Sequence, residues 1–164
     1  MNNRFQVFDF LKQLNIEYEL VEHPAVATIA EAMQFWKDVE ATHCKNLFFR
    51  NHKGNKHFLV VFDAHQQLAI HELEKSLKQG KISFASENRM AKYLAILPGS
   101  VSPFGLINNV ENHVHVYLDI NLKTSNKISF HPNDNTASIV LSFSDFLKCL
   151  ESVGNSYEFI QLYD

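Results

Sequence analysis

Between Thr42 and Asp63 the sequence spells a β-hairpin, and this commits the chain to a sheet. Leu47-Phe48-Phe49-Arg50 and His57-Phe58-Leu59-Val60-Val61-Phe62 are dense in aromatic and β-branched residues. Asn51-His52-Lys53-Gly54-Asn55 between them has the composition of a turn. Further strands are expected at Tyr18-Glu19-Leu20-Val21, Ile82-Ser83-Phe84, Val114 to Ile120, Lys127 to Phe130, Ile139-Val140-Leu141 and Tyr157 to Leu162. His23-Pro24 ends the first of these, because proline lacks a ladder donor and restricts the residue before it.

Helices are interspersed among these strands. Phe5, Phe8, Leu11 and Leu14 recur at helical spacing behind a cap at Asn2 or Asn3, and Asn15 ends that helix. Thr28 with Glu31 forms a capping box that opens a helix through Ala32, Met33 and Phe35. Ile70 to Leu77 is a short amphipathic helix ended by Gly80. Ser86 caps a helix carrying Met90, Tyr93 and Leu94, and Ser142 or Ser144 starts one through Phe146, Leu147 and Leu150 that Gly154 ends. The elements mix without regular βαβ alternation. The expected fold is α+β, with a mixed, mostly antiparallel sheet flanked by helices in a single domain over residues 1–164.

Fourteen Phe residues against one Trp predict a core dominated by aromatic packing. A net charge of -3 argues against a strongly basic nucleic-acid binder, while leaving room for a local basic face. The two cysteines, Cys44 and Cys149, are too few for a disulfide scaffold and lack metal-ligand spacing. They are expected to be free thiols in a reducing cytoplasm. No apolar run approaches the ~20 residues that span a bilayer, and Met1-Asn2-Asn3-Arg4 leads into no apolar signal core. The chain is expected to be soluble and cytoplasmic, with no membrane partner.

Four stretches can carry chemistry. In Gly99-Ser100-Val101-Ser102-Pro103-Phe104-Gly105, a Gly- and Pro-marked turn lies between two apolar segments. Its successive backbone N–H groups can form a nest for an anion or a carbonyl, or it can be a plain tight connection. Cys44-Lys45-Asn46 begins the Phe-rich strand. Lys45 can bury its stem and aim its ammonium into a cleft, or be a solvated lysine at a strand end. From Ala41 to Phe62 there is no acidic residue, while Lys45, Arg50, Lys53 and Lys56 all occur; Lys123 and Lys127 sit in a second acid-free stretch. These are phosphate contacts or solvated tips. In His131-Pro132-Asn133-Asp134-Asn135-Thr136, His131 can hydrogen-bond a substrate or carry a proton, or the segment is an Asx-rich turn bonding its own backbone.

Other chemistries lack their motifs. There is no phosphate-binding P-loop and no dinucleotide fingerprint. His113 and His115 pair without a further ligand at zinc spacing, and no Gly-x-Ser-x-Gly elbow is present. Cys44 is either a low-pKa thiol beside Lys45 or a small core residue.

Four of these segments, read with their neighbours, carry a resemblance. Lys45-Asn46-Leu47-Phe48-Phe49-Arg50, Ile82-Ser83-Phe84-Ala85-Ser86, Gly99 through Ile107, and Phe130-His131-Pro132 through Asn135-Thr136 occur in this order. Over about Tyr18 to Leu162 the chain resembles the YbaK/prolyl-tRNA-synthetase-associated editing domain family. Within it, the chain is most similar to the branch of free-standing alanyl-tRNA(Pro) deacylases. The resemblance implies hydrolysis of the ester joining alanine to the proline tRNA, with mischarged aminoacyl-tRNA as partner and prolyl-tRNA synthetase as a second candidate partner. It calls for no metal and no cofactor. By position, Lys45 matches the family's functional lysine, Asn46 its neighbour, Gly99 and Pro103 the Gly-x-x-x-Pro loop, and His131 the histidine before proline. Asn108-Asn109 stands where Asn-Asp is common, and Asn51-His52 replaces a more charged hairpin start.

The expected mechanism places Lys45, Gly99 and His131 at the reaction and Asn46, Ser100, Val101, Ser102 and Pro103 around the substrate. Backbone N–H groups of Gly99 to Ser102 would stabilise the oxyanion. Lys45 would orient the terminal nucleotide. His131 would position the amine or a water, and the tRNA's own vicinal hydroxyl can assist. Two alternatives stand beside this one: a sister specificity such as cysteinyl-tRNA(Pro), and a non-catalytic module that binds aminoacyl-tRNA or the synthetase.

Overall fold

The computed structural model describes residues 3–25, 29–37, 39–109 and 111–163. The caps expected at Asn2 and Thr28 lie outside the described residues. In order, the elements are α1 (Asn3–Gln13), β1 (Glu19–Glu22), α2 (Ile29–Trp36), β2 (Thr42–Asn51), β3 (His57–Asp63), α3 (Ile70–Leu77), β4 (Ile82–Phe84) and α4 (Glu87–Leu94). A 3-10 helix (Pro103–Asn108), β5 (His115–Asp119), a second 3-10 helix (Ile120–Thr124), β6 (Lys127–Phe130), β7 (Ala137–Ser142), α5 (Phe143–Val153) and β8 (Tyr157–Ile160) complete the chain.

The strands form one eight-stranded sheet in the order β1-β7-β6-β2-β3-β5-β8, with β4 also paired to β2. Four pairings are antiparallel: β1/β7, β2/β3, β2/β4 and β6/β7. The other three, β2/β6, β3/β5 and β5/β8, are parallel. The α+β class with a mixed, mostly antiparallel sheet therefore holds. The hairpin is its centre. β3 is buried from His57 to Phe62, as expected of a strand flanked on both edges and covered on both faces. Alternation divides it: Leu59 and Val61 join Phe48 and Val116 in one core, while Phe58, Val60 and Phe62 join Phe49 and Tyr117 in the other.

The caps show where local chemistry decided the ends. Ser86 and Ser142 accept hydrogen bonds from Arg89 N–H (3.3 Å) and Asp145 N–H (3.1 Å), which fixes the start of α5 at Ser142, the first of its two expected positions. Gly154 caps α5 at φ +82°, its N–H reaching the Leu150 carbonyl. The expectation for α3 needs correcting: the left-handed cap is Lys78 (φ +56°), whose N–H bonds the Glu74 carbonyl, and Gly80 lies beyond it. β2 is longer than expected and begins at Thr42, because Thr42 and His43 pair in parallel with Ile128 and Ser129. The stretch after Ser102 is helical instead of an open turn. Ser102 Oγ accepts from Phe104 N–H at 3.0 Å, and Pro103 takes the first helical position, where a missing N–H costs nothing.

That pairing scheme leaves a break in the sheet. On the edge of β2 away from β3, β6 pairs at Thr42 and His43 and β4 pairs at Phe49 to Asn51. Between them, among the described residues, no strand pairs with Cys44 to Leu47 on that edge. Lys45 and Asn46 sit in this break.

Candidate functional site

Two loops meet at Gly99 and Asn135. Gly99 has φ +87°, and a Cβ there would lie 3.6 Å from the Asn135 Nδ2. The Gly99 loop thus touches the turn that follows His131. Ser100 N–H is tied to the Leu97 carbonyl at 3.2 Å, which tightens the loop. The N–H groups of Gly99, Val101 and Ser102 make no hydrogen bond among the described residues. Of the four donors expected, three are therefore free. Ser100 and Ser102 are buried, and the Ser102 hydroxyl is occupied as a helix cap. Pro103 is buried with it at the start of the 3-10 helix.

The His131 turn is clamped from a distance. Asp134 accepts from Thr136 N–H (2.8 Å), from Thr136 Oγ1 and from Arg4 Nε (3.2 Å). Arg4, on α1, also donates from Nη2 to Thr136 Oγ1 at 2.6 Å. Burial works against ionisation of Asp134, but the bonds from Thr136 and the Arg4 guanidinium outweigh it and hold the carboxyl below its ordinary value. Within this clamp Asn133 adopts φ +59°, a left-handed conformation that asparagine tolerates. Its side-chain amide is buried with neither atom hydrogen-bonded.

His131 is set by its backbone. A carbonyl only accepts, so the 2.7 Å contact of Nδ1 with the Ala137 oxygen makes Nδ1 the protonated nitrogen. Nε2 then carries the lone pair, and it has no hydrogen-bond partner among the described residues. Burial lowers the pKa of the ring; the Ala137 bond opposes this and the neighbouring His23 reinforces it. The ring is therefore neutral at ordinary pH. His23 packs against it with ring centroids 5.9 Å apart. His23 is itself fixed: Nδ1–H donates to the Pro24 carbonyl (3.0 Å), and Nε2 lies 3.2 Å from Ser138 Oγ. Trp36 Nε1–H donates to that same hydroxyl at 3.2 Å. Sequence reading missed His23 and Trp36 as supports, since only the fold brings α2 to β7.

Asn46 contributes a buried amide at the break. Its Nδ2 donates to the Cys44 carbonyl at 3.4 Å, and its Oδ1 is buried without a partner. Lys45 is half-buried, and its side chain makes no hydrogen bond or ion pair among the described residues. It lies opposite Phe62 in the hairpin register, on the other face of β2 from Asn46. No described contact joins Lys45 to Gly99 or to His131.

The remaining candidates have structural surroundings. Cys44 and Cys149 are free and buried. Burial pushes the Cys44 thiol well up and that of Cys149 to about 12, so neither is a ready nucleophile. His113 and His115 turn to different partners, His57 for the first and Ser156 with Glu158 for the second. No helix among the described residues is long and apolar enough to cross a membrane.

Comparison with known proteins identifies relatives of the chain. The model of the aminoacyl-tRNA editing domain family matches residues 23–149. Over 164 residues the chain is 40% identical to the "Prolyl-tRNA editing protein ProX" of Acetoanaerobium sticklandii, covering 99% of each chain. It is 33% identical over 150 residues to "Prolyl-tRNA synthetase associated domain-containing protein 1" of Danio rerio, covering 90% of this chain and 81% of that protein. A solved structure described as a candidate trans-editing enzyme for prolyl tRNA synthetase superposes with TM-score 0.72 at 19% identity, over 98% of both chains, and shares the fold.

Proposed function

The chain belongs to the aminoacyl-tRNA editing domain family, and on that premise we propose that it is a trans-editing deacylase. It hydrolyses the ester of mischarged alanyl-tRNA(Pro), releasing alanine and free tRNA. The task has a physical logic: a synthetic site that accepts proline cannot strongly reject the smaller alanine by binding, so a second, smaller sieve is useful. The synthetase that makes the error is the second proposed partner.

One observation carries the reading. Free backbone donors of the Gly99 loop stand against the turn that bears a neutral His131, whose Nε2 has no partner among the described residues. Donors for a developing oxyanion and an acceptor for an ammonium or water proton are what ester hydrolysis needs side by side. In the proposed sequence, the ester carbonyl oxygen lies against the N–H groups of Gly99, Val101 and Ser102. Water attacks the carbonyl carbon, the tetrahedral oxyanion is held by those donors, and on its collapse the bond from carbon to the ribose oxygen breaks and that oxygen takes up the proton the water gave up. His131 Nε2 accepts from the alanyl amine or the water. Asn46 Oδ1 accepts from the amine or the ribose hydroxyl. Lys45, held by the strand beside the break, orients the terminal nucleotide through its phosphate or ribose.

The test is to supply alanyl-, cysteinyl- and prolyl-tRNA(Pro) to the purified protein and follow release of each amino acid. Faster loss of the alanyl ester than in buffer, with the prolyl ester spared, is the expected result. Preferred release of cysteine would move the specificity to the sister reaction. Binding without release would leave only a recognition module.

A further inference from the structure

At the far end of the hairpin, two guanidinium groups converge with no carboxylate between them. Gly54 lies in the β2–β3 turn with φ +74°, and a Cβ there would come within 2.9 Å of Arg50 Nη2 and of Arg89 Nη2 alike. Only glycine leaves room for both. Each guanidinium is anchored by neutral acceptors. Arg50 donates from Nε to the Asn51 carbonyl (3.1 Å) and from Nη2 to the His52 carbonyl (2.9 Å). Arg89 donates from Nη1 to the Gly54 carbonyl (3.0 Å) and to His57 Nε2 (2.9 Å). Neither has an acidic partner among the described residues.

The surroundings are cationic as well. Gly54, Ser86, Asn88, Arg89, Lys92 and Tyr93 line an open cleft of about 430 Å³ that contains no carboxylate. Lys92 Nζ sits over the Tyr93 ring, 5.1 Å from its centroid. Lys53 and Lys56 are exposed on the adjoining turn, and no acidic residue occurs from Ala41 to Phe62. Glu87, the one acidic residue in the first turn of α4, is exposed and does not line the cleft. The field registers on His57, whose pKa falls to about 4 through burial and then through His113, Arg89, Arg50 and Lys92. Two like charges held side by side repel unless an anion bridges them, and a phosphate meets two guanidiniums with paired N–H···O bonds. Arg50 Nη1 and Arg89 Nη2 have donors left for this among the described residues.

We infer that Arg50 and Arg89, over Gly54 and beside Lys92, form a docking site for a backbone phosphate of the tRNA, upstream of the acylated nucleotide. The inference rests on the proposed deacylase function for the identity of the RNA. Asn46 and Arg50 share a face of β2 four residues apart, roughly 13 Å at the strand's rise per residue. That exceeds the span of one nucleotide, so the strand that enters the break at Asn46 brings an earlier phosphate to the pair.

The experiment measures binding of uncharged tRNA(Pro) by fluorescence anisotropy between 50 and 200 mM KCl, for wild type, Arg50→Gln and Lys92→Glu. Matched melting curves establish that each variant is folded. Each substitution is expected to weaken binding about 3- to 10-fold at low salt and to reduce the slope of log K against log salt by about one. A single-stranded CCA trinucleotide should bind all three alike, and alanyl-adenosine should be hydrolysed with unchanged kcat/KM. Because the binding arm uses uncharged RNA, it stands even if wild type releases no alanine, an outcome that would sink the deacylase reading alone. Wild-type affinity and slope in both variants overturn the inference, as does equal weakening of tRNA and trinucleotide. Stabilisation by inorganic phosphate that Arg50→Gln abolishes, with tRNA affinity unmoved, overturns it in favour of a free-anion site.

Discussion

The Nδ1–H of His131 donates to the carbonyl oxygen of Ala137 at 2.7 Å, and that bond leaves the ring's other nitrogen as an acceptor. The carbonyl belongs to the first residue of β7 and the ring to the residue that follows β6, so the turn between these paired strands sets the tautomer. Burial depresses the pKa of the ring below 6.5. A lone pair that does work is then present at neutral pH and disappears only as pH falls through the depressed value. The acid limb of kcat/KM should therefore lie below 6.5. In His131→Ala that limb should vanish and the rate fall about 10²-fold, within the range of a positioned acid or base. A pH profile of alanine release in the two proteins checks both, and a wild-type limb above 6.5 contradicts the assignment.

The backbone of the Gly99 loop, and not its hydroxyls, should matter to the reaction. At φ +87° a β-branched side chain is strained by an amount of order 1–3 kcal/mol, although the Cβ itself meets Asn135 only at ordinary distance. Gly99→Val should reorient the free N–H groups and lower kcat/KM by 10² or more, the scale of one lost oxyanion donor. Ser102→Ala loses a cap on the 3-10 helix worth about 1 kcal/mol and should keep its activity within a few-fold. Ser100→Ala, which removes no cap, should likewise keep its activity within a few-fold. Either serine proving indispensable as a nucleophile would refute this account of the loop.

These two loops were legible in the sequence because each carries its own local signal: positive-φ glycine with proline in one, His-Pro and Asx residues in the other. The caps at Ser86, Ser142 and Gly154 were legible for the same reason. What escaped were properties created by distant pairing. β2 gains Thr42 and His43 only because β6, more than eighty residues on, lies beside them. The same pairing, with β4 at the other end, leaves the break in which Asn46 sits. The Arg50–Arg89 pair and the His57–His113 contact at 2.9 Å also join segments that no spacing rule connects. The Pro103–Asn108 helix was missed for a different reason. Its Ser-Pro start reads equally well as a turn, and a 3-10 segment has no periodicity long enough to detect.

Acid should destabilise the fold before it protonates the carboxylates. His57 and His43 are buried, and burial is the leading cause that lowers each to about 4 from 6.5. Above 6.5 both are neutral in either state, so they add no pH dependence. Between 6.5 and 4 the unfolded chain takes up protons that the folded chain refuses, and stability falls by up to roughly 1.4 kcal/mol per pH unit for each histidine. The melting temperature should therefore drop steadily from pH 7 to pH 4.5. His43→Phe, which keeps a ring to stack on Trp36 (4.3 Å between centroids, planes within 2°), should make that slope shallower. A flat profile in wild type would contradict the two shifts.

Gly105 should tolerate no side chain, for a reason of packing alone. A Cβ there would lie 2.4 Å from Ile96 Cδ1 and 3.0 Å from Leu94 Cβ, with the Leu94 carbonyl at 3.3 Å. Ile96 and Leu94 are buried, and they hold the 3-10 helix to the end of α4. Gly105→Ala should cost about 1–3 kcal/mol, the usual price of overpacking a filled core. The two contacts differ in kind: Cδ1 is the end of a side chain, whereas Leu94 Cβ and its carbonyl belong to the helix terminus. Ile96→Val removes Cδ1 and alone should cost about 1 kcal/mol. In the double variant the freed space accepts the new methyl, so the combined loss should be smaller than the sum of the two single losses. Chemical denaturation of the four proteins measures that coupling. Strict additivity would mean that Leu94, not Ile96, sets the limit at Gly105.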